Sequence, residues 1–553
     1  MKENNYNNSN NNKNNDDIIN ANNNININVN SNGNSNNSKN NGRGNDNLQE
    51  YNNSQELFYK STRGSVDHVS SSQAIISGIA KDGGLYVPSS FPSINFLTLN
   101  KLLELNYKEL AKFILSAFLS DYANDEINFC VEKAYDEKFD TPEIAPLKKV
   151  GDVFFLELFH GATAAFKDMA LSILPYLLIK ATNKTSLKKE IVILTATSGD
   201  TGKAALESFS NVEGTKIIVF YPNNGVSLIQ ERQMITQEGN NTFVCAIEGN
   251  FDDAQTGVKE IFNDSQLNKL LEEKNYIFSS ANSINIGRLL PQVVYYIYAY
   301  LKLVSCKEIE IGQEINILVP TGNFGNILAA YYAKKMGLPV QRLICASNEN
   351  NVLYDFINTG IYDKRRELKL TISPSMDILV SSNLERLIYD ISDCNSEYLK
   401  NLYNDLNSKG YFKINEEMKE KMASFWAGFA TEEQTLNAIN KAYYDYNYLI
   451  DTHTGVGFHV YNEYKEMTND KVKTVITSTA SPFKFPASVL KAIDKNFDKY
   501  KKLNEIDMLQ KLSNFTGIEI PKALKGIDTK KILHNNKCEV SEMKDFVKKV
   551  LNI

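Results

Sequence analysis

The feature that most restricts what this chain can fold into is a repeated alternation of short apolar, β-branched runs with helical patterns, in two series that each carry a glycine turn. From Lys189 the chain reads as strand at Ile191–Leu194, helix from Gly202 to Phe209, strand at Lys216–Phe220, helix from Leu228 to Thr236 and strand at Phe243–Ile247. A second series opens with Ile315–Val319, turns at Thr321-Gly322-Asn323, and enters a helix from Ile327 to Met336 that Gly337 ends; the strand Arg342–Ala346 follows. Strands apolar on both faces and spaced by helices belong to parallel sheets covered on both sides. The expected class is α/β, with two open, mostly parallel twisted sheets, helices on both faces and a ligand cleft between them. Ligands of such sheets sit beyond the carboxyl ends of the strands, where both glycine turns fall. The pattern from Gly287 to Val304, rich in Leu, Val and Tyr, reads as a packed bridge between the halves.

A chain of 553 residues exceeds one ordinary domain. Its formal net charge of −6 supplies no global basic field, so nucleic acid is not an expected partner. Six cysteines, Cys130, Cys245, Cys306, Cys345, Cys394 and Cys538, are scattered without a CxxC pair, which suggests neither a metal site nor a disulfide framework and fits a reducing compartment. No apolar run approaches the roughly 20 residues that span a bilayer, and the first residues lack the hydrophobic core of a signal peptide. A soluble cytoplasmic protein follows, with no membrane partner and as a monomer or homodimer. Residues 1–54 are dominated by asparagine, with few large apolar side chains to offset ordering entropy, and read as disordered.

Three segments carry candidate chemistry. Phe159-His160-Gly161-Ala162-Thr163-Ala164-Ala165-Phe166-Lys167-Asp168 places one lysine among apolar neighbours, where desolvation favours the neutral amine that forms an imine with a carbonyl cofactor. On its own, Lys167 reads equally as a helix-surface lysine, and Asp168 as a helix start or a cation's partner. Gly322-Asn323-Phe324-Gly325-Asn326 passes from strand to helix, so its N–H groups can face an anion such as a phosphate, or it is an ordinary tight turn. Thr197-Ser198-Gly199-Asp200-Thr201-Gly202 has the same placement with more hydroxyls, suited to a substrate carboxylate or to capping the helix. Asn282-Ser283-Ile284-Asn285-Ile286-Gly287-Arg288 offers amides, a hydroxyl and a guanidinium: Arg288 suits a substrate phosphate or a salt bridge between domains, and Lys484 is a second phosphate candidate.

The order of these motifs, lysine first and two glycine turns after it, resembles pyridoxal phosphate enzymes of the tryptophan synthase β type, and their wording resembles threonine synthase of the fungal and bacterial kind. The turn Asp82-Gly83-Gly84-Leu85 before Val87-Pro88, the segment Ser373-Pro374-Ser375-Met376-Asp377-Ile378 and Ser478-Thr479-Ala480-Ser481-Pro482-Phe483-Lys484-Phe485 extend the resemblance from Phe58 to Ala487. It implies pyridoxal 5'-phosphate in the cleft, linked to Lys167, with its phosphate on Gly322, Asn323, Phe324 and Asn326 and its pyridine nitrogen at Thr479. It further implies substrate contacts from Thr197, Ser198, Asp200 and Thr201, Asp200 lying near the cofactor's ring hydroxyl. Asn282, Ser283, Arg288 and Lys484 remain the substrate-side candidates. His160 and His453 match family motifs and suit a structural role as well as acid or base chemistry. Ala162, Ala164, Ser481 and Phe483 depart from the family's usual residues.

The expected organisation is an N-terminal region over 55–150, a first α/β domain over 151–310, a second over 311–490 with the phosphate turn and a helical insertion, and a helical tail over 491–553. The implied activity converts O-phosphohomoserine and water to L-threonine and phosphate by γ-elimination and β-addition. Two alternatives stand beside it: a phospholyase releasing 2-oxobutyrate and ammonia, motivated by the departures, and a catalytically silent structural homologue.

Overall fold

The chain's architecture, seen in a computed structural model that describes residues 56–185, 189–197 and 199–553, rests on two sheets. The asparagine-rich tract and Ser198 lie outside the described residues. One sheet has five strands in the order Asn536–Glu539, Thr242–Glu248, Thr215–Pro222, Glu190–Ala196 and Tyr276–Ser279, every neighbouring pair parallel. The other has six, in the order Phe425–Phe429, Val340–Ser347, Ile315–Pro320, Thr474–Ser478, Val153–Glu157 and Leu147–Val150, parallel except for the last pair. The α/β class with mostly parallel sheets is thus the fold, for the reason the alternation gives. Ile191, Val192, Ile193 and Leu194 are all buried, as only a strand covered on both faces requires.

The sheets do not follow the segment boundaries at 150/151 and 490/491. Val153–Glu157, at the start of the segment 151–310, pairs within the six-stranded sheet, while Asn536–Glu539, in the tail read as helical, is an edge strand of the five-stranded one. Val153–Glu157 is buried along its whole length, so its residues mark a core strand without marking which core. Asn536–Glu539 is largely exposed and lacks the apolar alternation that betrays a strand.

The helix Ile286–Ser305 is buried on all sides, as a helix apolar all round must be, and packs against Gly325–Lys335, Tyr107–Phe118 and the short helix Asp168–Leu171. It therefore joins the element that follows Lys167 to the one that follows the Gly322 turn. Ahead of both sheets, Tyr59–Ser61 pairs antiparallel with Tyr86–Pro88 around a turn held by Asp82, which accepts from Ser61 Oγ at 2.7 Å and from the Gly84 N–H at 2.9 Å. Arg63 pairs with the buried Glu385 at 2.8 Å and so fastens this region to the helix Leu384–Ile391. Among the described residues no helix is long and apolar enough to cross a membrane, and no group of His, Cys, Asp or Glu is placed to hold a metal.

Candidate active site

Lys167 stands at the start of the helix Asp168–Leu171, held by a loop with little freedom. Asp168 is buried and accepts from the Thr163 N–H at 2.8 Å and the Thr163 hydroxyl at 2.6 Å, folding the preceding turn back on itself; Gly161 has no room for a side chain against it. Ala164 takes a left-handed φ of 57°, unusual for a residue with a Cβ, and its carbonyl accepts from the Ser481 N–H. The Phe166 N–H donates to the Thr479 carbonyl at 2.8 Å. These bonds place Lys167 beside the Thr479–Lys484 segment, which comes more than three hundred residues later. Burial pushes the Lys167 ammonium down to about 8, with Asp200 resisting and Lys484 and Arg288 adding to the fall.

The second motif supplies the countercharge. Asp200 opens the helix Asp200–Phe209; Lys484 Nζ lies 2.7 Å from its Oδ1, Lys167 Nζ lies 3.7 Å from its Oδ2, and Gln230 Nε2 donates to Oδ1 at 2.9 Å. Burial alone would raise this carboxyl, but Lys484 and Lys167 hold it well below the usual carboxylate range. Gly199, at φ 137°, lets the chain pass where a Cβ would strike the Gln230 side chain. Thr197 is engaged within its own turn, its Oγ1 accepting from the N–H groups of Gly199 and Gly202 at 3.0 and 2.9 Å. Its hydroxyl therefore shapes the loop. Thr201, half-buried, sits in the first turn of the same helix.

The third motif is built differently. Phe324, left-handed at φ 62°, turns the chain into the helix Gly325–Lys335. Asn326 receives the hydroxyls of Tyr295 and Tyr296 on its Oδ1, each at 2.5 Å, while its buried Nδ2 has no partner. Gly322 abuts the Ser375 carbonyl, 2.6 Å from where a Cβ would stand, and Asn323 is exposed, with its carbonyl accepting from Asn383. Asn383 Nδ2 also reaches Ser283 Oγ at 3.3 Å, so the Asn282–Arg288 turn and the phosphate-type turn share one amide. The half-buried Asn282 braces that turn, its carbonyl accepting from the Asn285 N–H. Arg386, buried and bonded to the carbonyls of Ile284 and Tyr86, holds the same turn from behind. Arg288 Nη1 donates to the Ala281 carbonyl at 2.8 Å, its Nε has no partner, and no carboxylate pairs with it among the described residues; burial lowers its guanidinium to about 10.

Ser375, in a segment whose residue types demand no chemical role, touches all of this. Its Oγ accepts from Lys167 Nζ at 3.2 Å, its carbonyl lies against Gly322, and its N–H donates to His453 Nε2 at 3.2 Å. That last bond leaves the proton of His453 on Nδ1, which donates to Asp451 Oδ2 at 2.8 Å. His453 is thus a strut for Ser375. His160 is bracketed by Asp140 and Glu157, which raise it to about 9 against the pull of burial and keep it charged at neutral pH. Ser481 accepts from the Phe483 N–H and starts the turn Pro482–Lys484 that brings Lys484 to Asp200. Gln230 lies in no motif, and the segments that contain Ser375 and Asp451 gave no sign of the contacts these two residues make.

A buried lysine held near neutrality, an unpartnered amide beside a helix N-terminus and a buried guanidinium without an anion suit a phosphorylated carbonyl cofactor. A family model described as "Threonine synthase N terminus" matches residues 58–135, one described as "Pyridoxal-phosphate dependent enzyme" matches 139–422, and one described as "Threonine synthase, C-terminal" matches 454–531. The chain belongs to the threonine synthase family. It is 41% identical over 451 residues to human threonine synthase-like 1, a match covering 79% of this chain and 59% of that protein, so the chain spans less than two thirds of that relative. It is 36% identical over 476 residues to threonine synthase of Schizosaccharomyces pombe, covering 80% of this chain and 91% of that one. The solved structure of pyridoxal phosphate-bound threonine synthase from Brucella melitensis matches with a TM-score of 0.79 at 33% identity, over 90% of this chain and all of the other. The yeast enzyme matches with a TM-score of 0.80 at 31% identity, over 90% and 99%. The cofactor of this family is pyridoxal phosphate. The residues present fit the cofactor: Lys167 is a largely buried amine, its side chain 11% exposed, and the cradle at Gly322, where a Cβ would collide, leads to the unpartnered Asn326 amide.

Proposed function

We propose that this protein converts O-phosphohomoserine and water to L-threonine and phosphate. The observation that carries this reading is Arg288, a buried guanidinium with an unpartnered Nε and no carboxylate, beside a lysine that feels its charge. A buried cation of this kind calls for an anion that arrives with the substrate. A phosphorylated amino acid on this cofactor brings a second phosphate, and the two candidate cradles differ in kind. The Gly322–Asn326 turn offers main-chain N–H groups and a neutral amide, suited to a resident phosphate with Gly322, Asn323, Phe324 and Asn326 around it. Arg288, with Asn282 and Ser283 on the same turn, takes the substrate phosphate. Lys484 is already paired with Asp200, which makes it the secondary ligand.

When bound, pyridoxal phosphate supplies an electron sink for charge developing on substrate carbon. Lys167 would hold the cofactor and, as a free amine, would move the proton at substrate Cα; its pKa of about 8 leaves a useful share of neutral amine near neutral pH. Ser375 Oγ, within hydrogen-bond reach of Lys167 Nζ, steadies that amine. Asp200, kept ionised by Lys484, would take the cofactor's ring hydroxyl, and Thr479 its pyridine nitrogen. The start of the helix Asp200–Phe209, with Ser198 and Thr201, receives the substrate carboxylate, while Thr197 keeps that loop in shape.

The test is turnover of O-phosphohomoserine by the purified holoenzyme with phosphate, threonine and 2-oxobutyrate all quantified. Equal yields of threonine and phosphate support the reading. 2-Oxobutyrate as the main product would replace it with the phospholyase. Arg288→Ala should weaken binding of the phosphorylated substrate by roughly 2 to 4 kcal/mol, with unphosphorylated amino acids much less affected. Borohydride reduction followed by peptide mapping should find the cofactor on Lys167.

A further inference from the structure

Behind the lysine loop, at the other end of the helix Asp200–Phe209, lies a polar pocket of about 230 Å³ that the proposed reaction does not use. Its walls include Lys203 and Glu207 from that helix, Gln233 and Gln237 from the following helical segment, and Lys530 from the C-terminal region. Gln233 is 97% buried, yet neither its Oε1 nor its Nε2 has a partner. Native interiors rarely leave a donor and an acceptor of one amide both unsatisfied, and each costs about 1 to 3 kcal/mol when they do. Lys203 is accounted for, since its Nζ pairs with Glu207 at 2.8 Å and donates to Gln237. Glu238 and Lys530, both exposed at the rim, have no ion-pair partner among the described residues. Arg232 fixes the opposite wall by donating to the carbonyls of Ile527, Asp528 and Lys530.

The volume falls below the roughly 300 to 1,000 Å³ that drug-sized ligands occupy, so the occupant is small. An unsatisfied amide with one donor and one acceptor, flanked by one unpaired cation and one unpaired anion, matches a molecule carrying both charges. We propose that this pocket binds a free α-amino acid, with its carboxylate toward Lys530 and Gln233 Nε2 and its ammonium toward Glu238 and Gln233 Oε1. A neutral polyol would leave both rim charges to water, and a simple anion or cation would satisfy one of them only. The site connects to the reactive lysine by a short route. Glu207 also lines a second cavity of about 170 Å³ that reaches Ala162 in the lysine loop, and its helix begins with Asp200.

The test uses the holoenzyme after borohydride reduction, which fixes the cofactor on the active-site lysine. Titration calorimetry with each of the common amino acids should find at least one that binds with one-to-one stoichiometry. Gln233→Leu, which keeps the side chain's bulk and removes both polar atoms, should weaken that amino acid by about tenfold to a hundredfold. The matching amine without a carboxylate, and the matching carboxylic acid without an amine, should each bind much more weakly. The Lys530→Ala variant keeps the proposal falsifiable if Gln233→Leu fails to fold, and it should lose affinity for the amino acid as well. Binding of no amino acid, with Gln233 satisfied by water alone, would overturn the proposal, and so would unchanged affinity in a folded Gln233→Leu or Lys530→Ala protein.

Discussion

The two glycine turns occupy the same place in their sheets, each passing from a strand to a helix N-terminus, yet one is closed and the other open. In Thr197–Gly202 the Thr197 hydroxyl binds its own loop and the only carboxylate, Asp200, is clamped by two lysines and Gln230. In Thr321–Asn326 the side-chain donor Asn326 Nδ2 is left without a partner, and the nearest backbone, Ser375, approaches so closely that only glycine fits. Equivalent topology therefore yields opposite electrostatics. The first turn is a fixed negative point that sets the charge of nearby amines, and the second holds a buried side-chain donor without a partner. A strand-to-helix glycine turn states where a ligand sits, and the polar groups left over state which kind.

The contrast can be broken most forcefully at Asp200. Asp200→Asn leaves Lys484 and Lys167 facing each other without a buried countercharge, and should lower stability by about 3 to 5 kcal/mol in urea unfolding. A loss below about 1 kcal/mol would show that water screens the pair. Gly322→Ala should come next: its Cβ meets the Ser375 carbonyl, so the cofactor should be retained about a hundredfold less tightly, read by equilibrium dialysis, with the fold intact by circular dichroism. Thr197→Val should cost about 1 to 2 kcal/mol of stability and leave substrate KM nearly unchanged, because its hydroxyl closes the loop. A selective rise in KM would return Thr197 to the substrate. The smallest effect concerns pH. Lys167, lowered from its unfolded value of 10.5 to about 8, binds fewer protons when folded, so it opposes folding below pH 8 and that penalty fades as pH rises toward 10.5. Cofactor capture by the apoenzyme should accordingly accelerate through about pH 8. In a folded Asp200→Asn protein the inflection should move to lower pH, since Asp200 is what holds that proton on.

The alternation of strand and helix was legible because covered parallel strands are apolar along most of their length, as Ile191–Leu194 and Ile317–Val319 are. The candidate lysine was legible through motif order, and the structure sets it 3.7 Å from Asp200. Sheet membership was not: Val153–Glu157 is as apolar as any strand of either sheet, and its partner Thr474–Ser478 is chosen by the path of the chain. Ser375 and Gln230 stayed hidden because each acts on groups far away in sequence, as when Ser375 meets Lys167 across 208 positions. Thr197 was read for a ligand when its hydroxyl serves its own turn. Short range cannot separate those two uses of one hydroxyl, since both place it at a helix N-terminus.

The long span that sets the lysine has a consequence for how the protein matures. Thr163 and Lys484, which meet through a hydrogen bond, are 321 residues apart, whereas four strands of the five-stranded sheet follow one another within a single stretch from Glu190 to Ser279. Local pairings form before distant ones, because closing a long loop costs entropy that only later contacts repay. During refolding the four strands between Glu190 and Ser279 are therefore assembled while Lys167 still lacks its surroundings, and the lysine's setting is completed in one of the last events. The cofactor's visible colour should then lag the far-ultraviolet signal of secondary structure, which makes pyridoxal phosphate a clock for the completed chain.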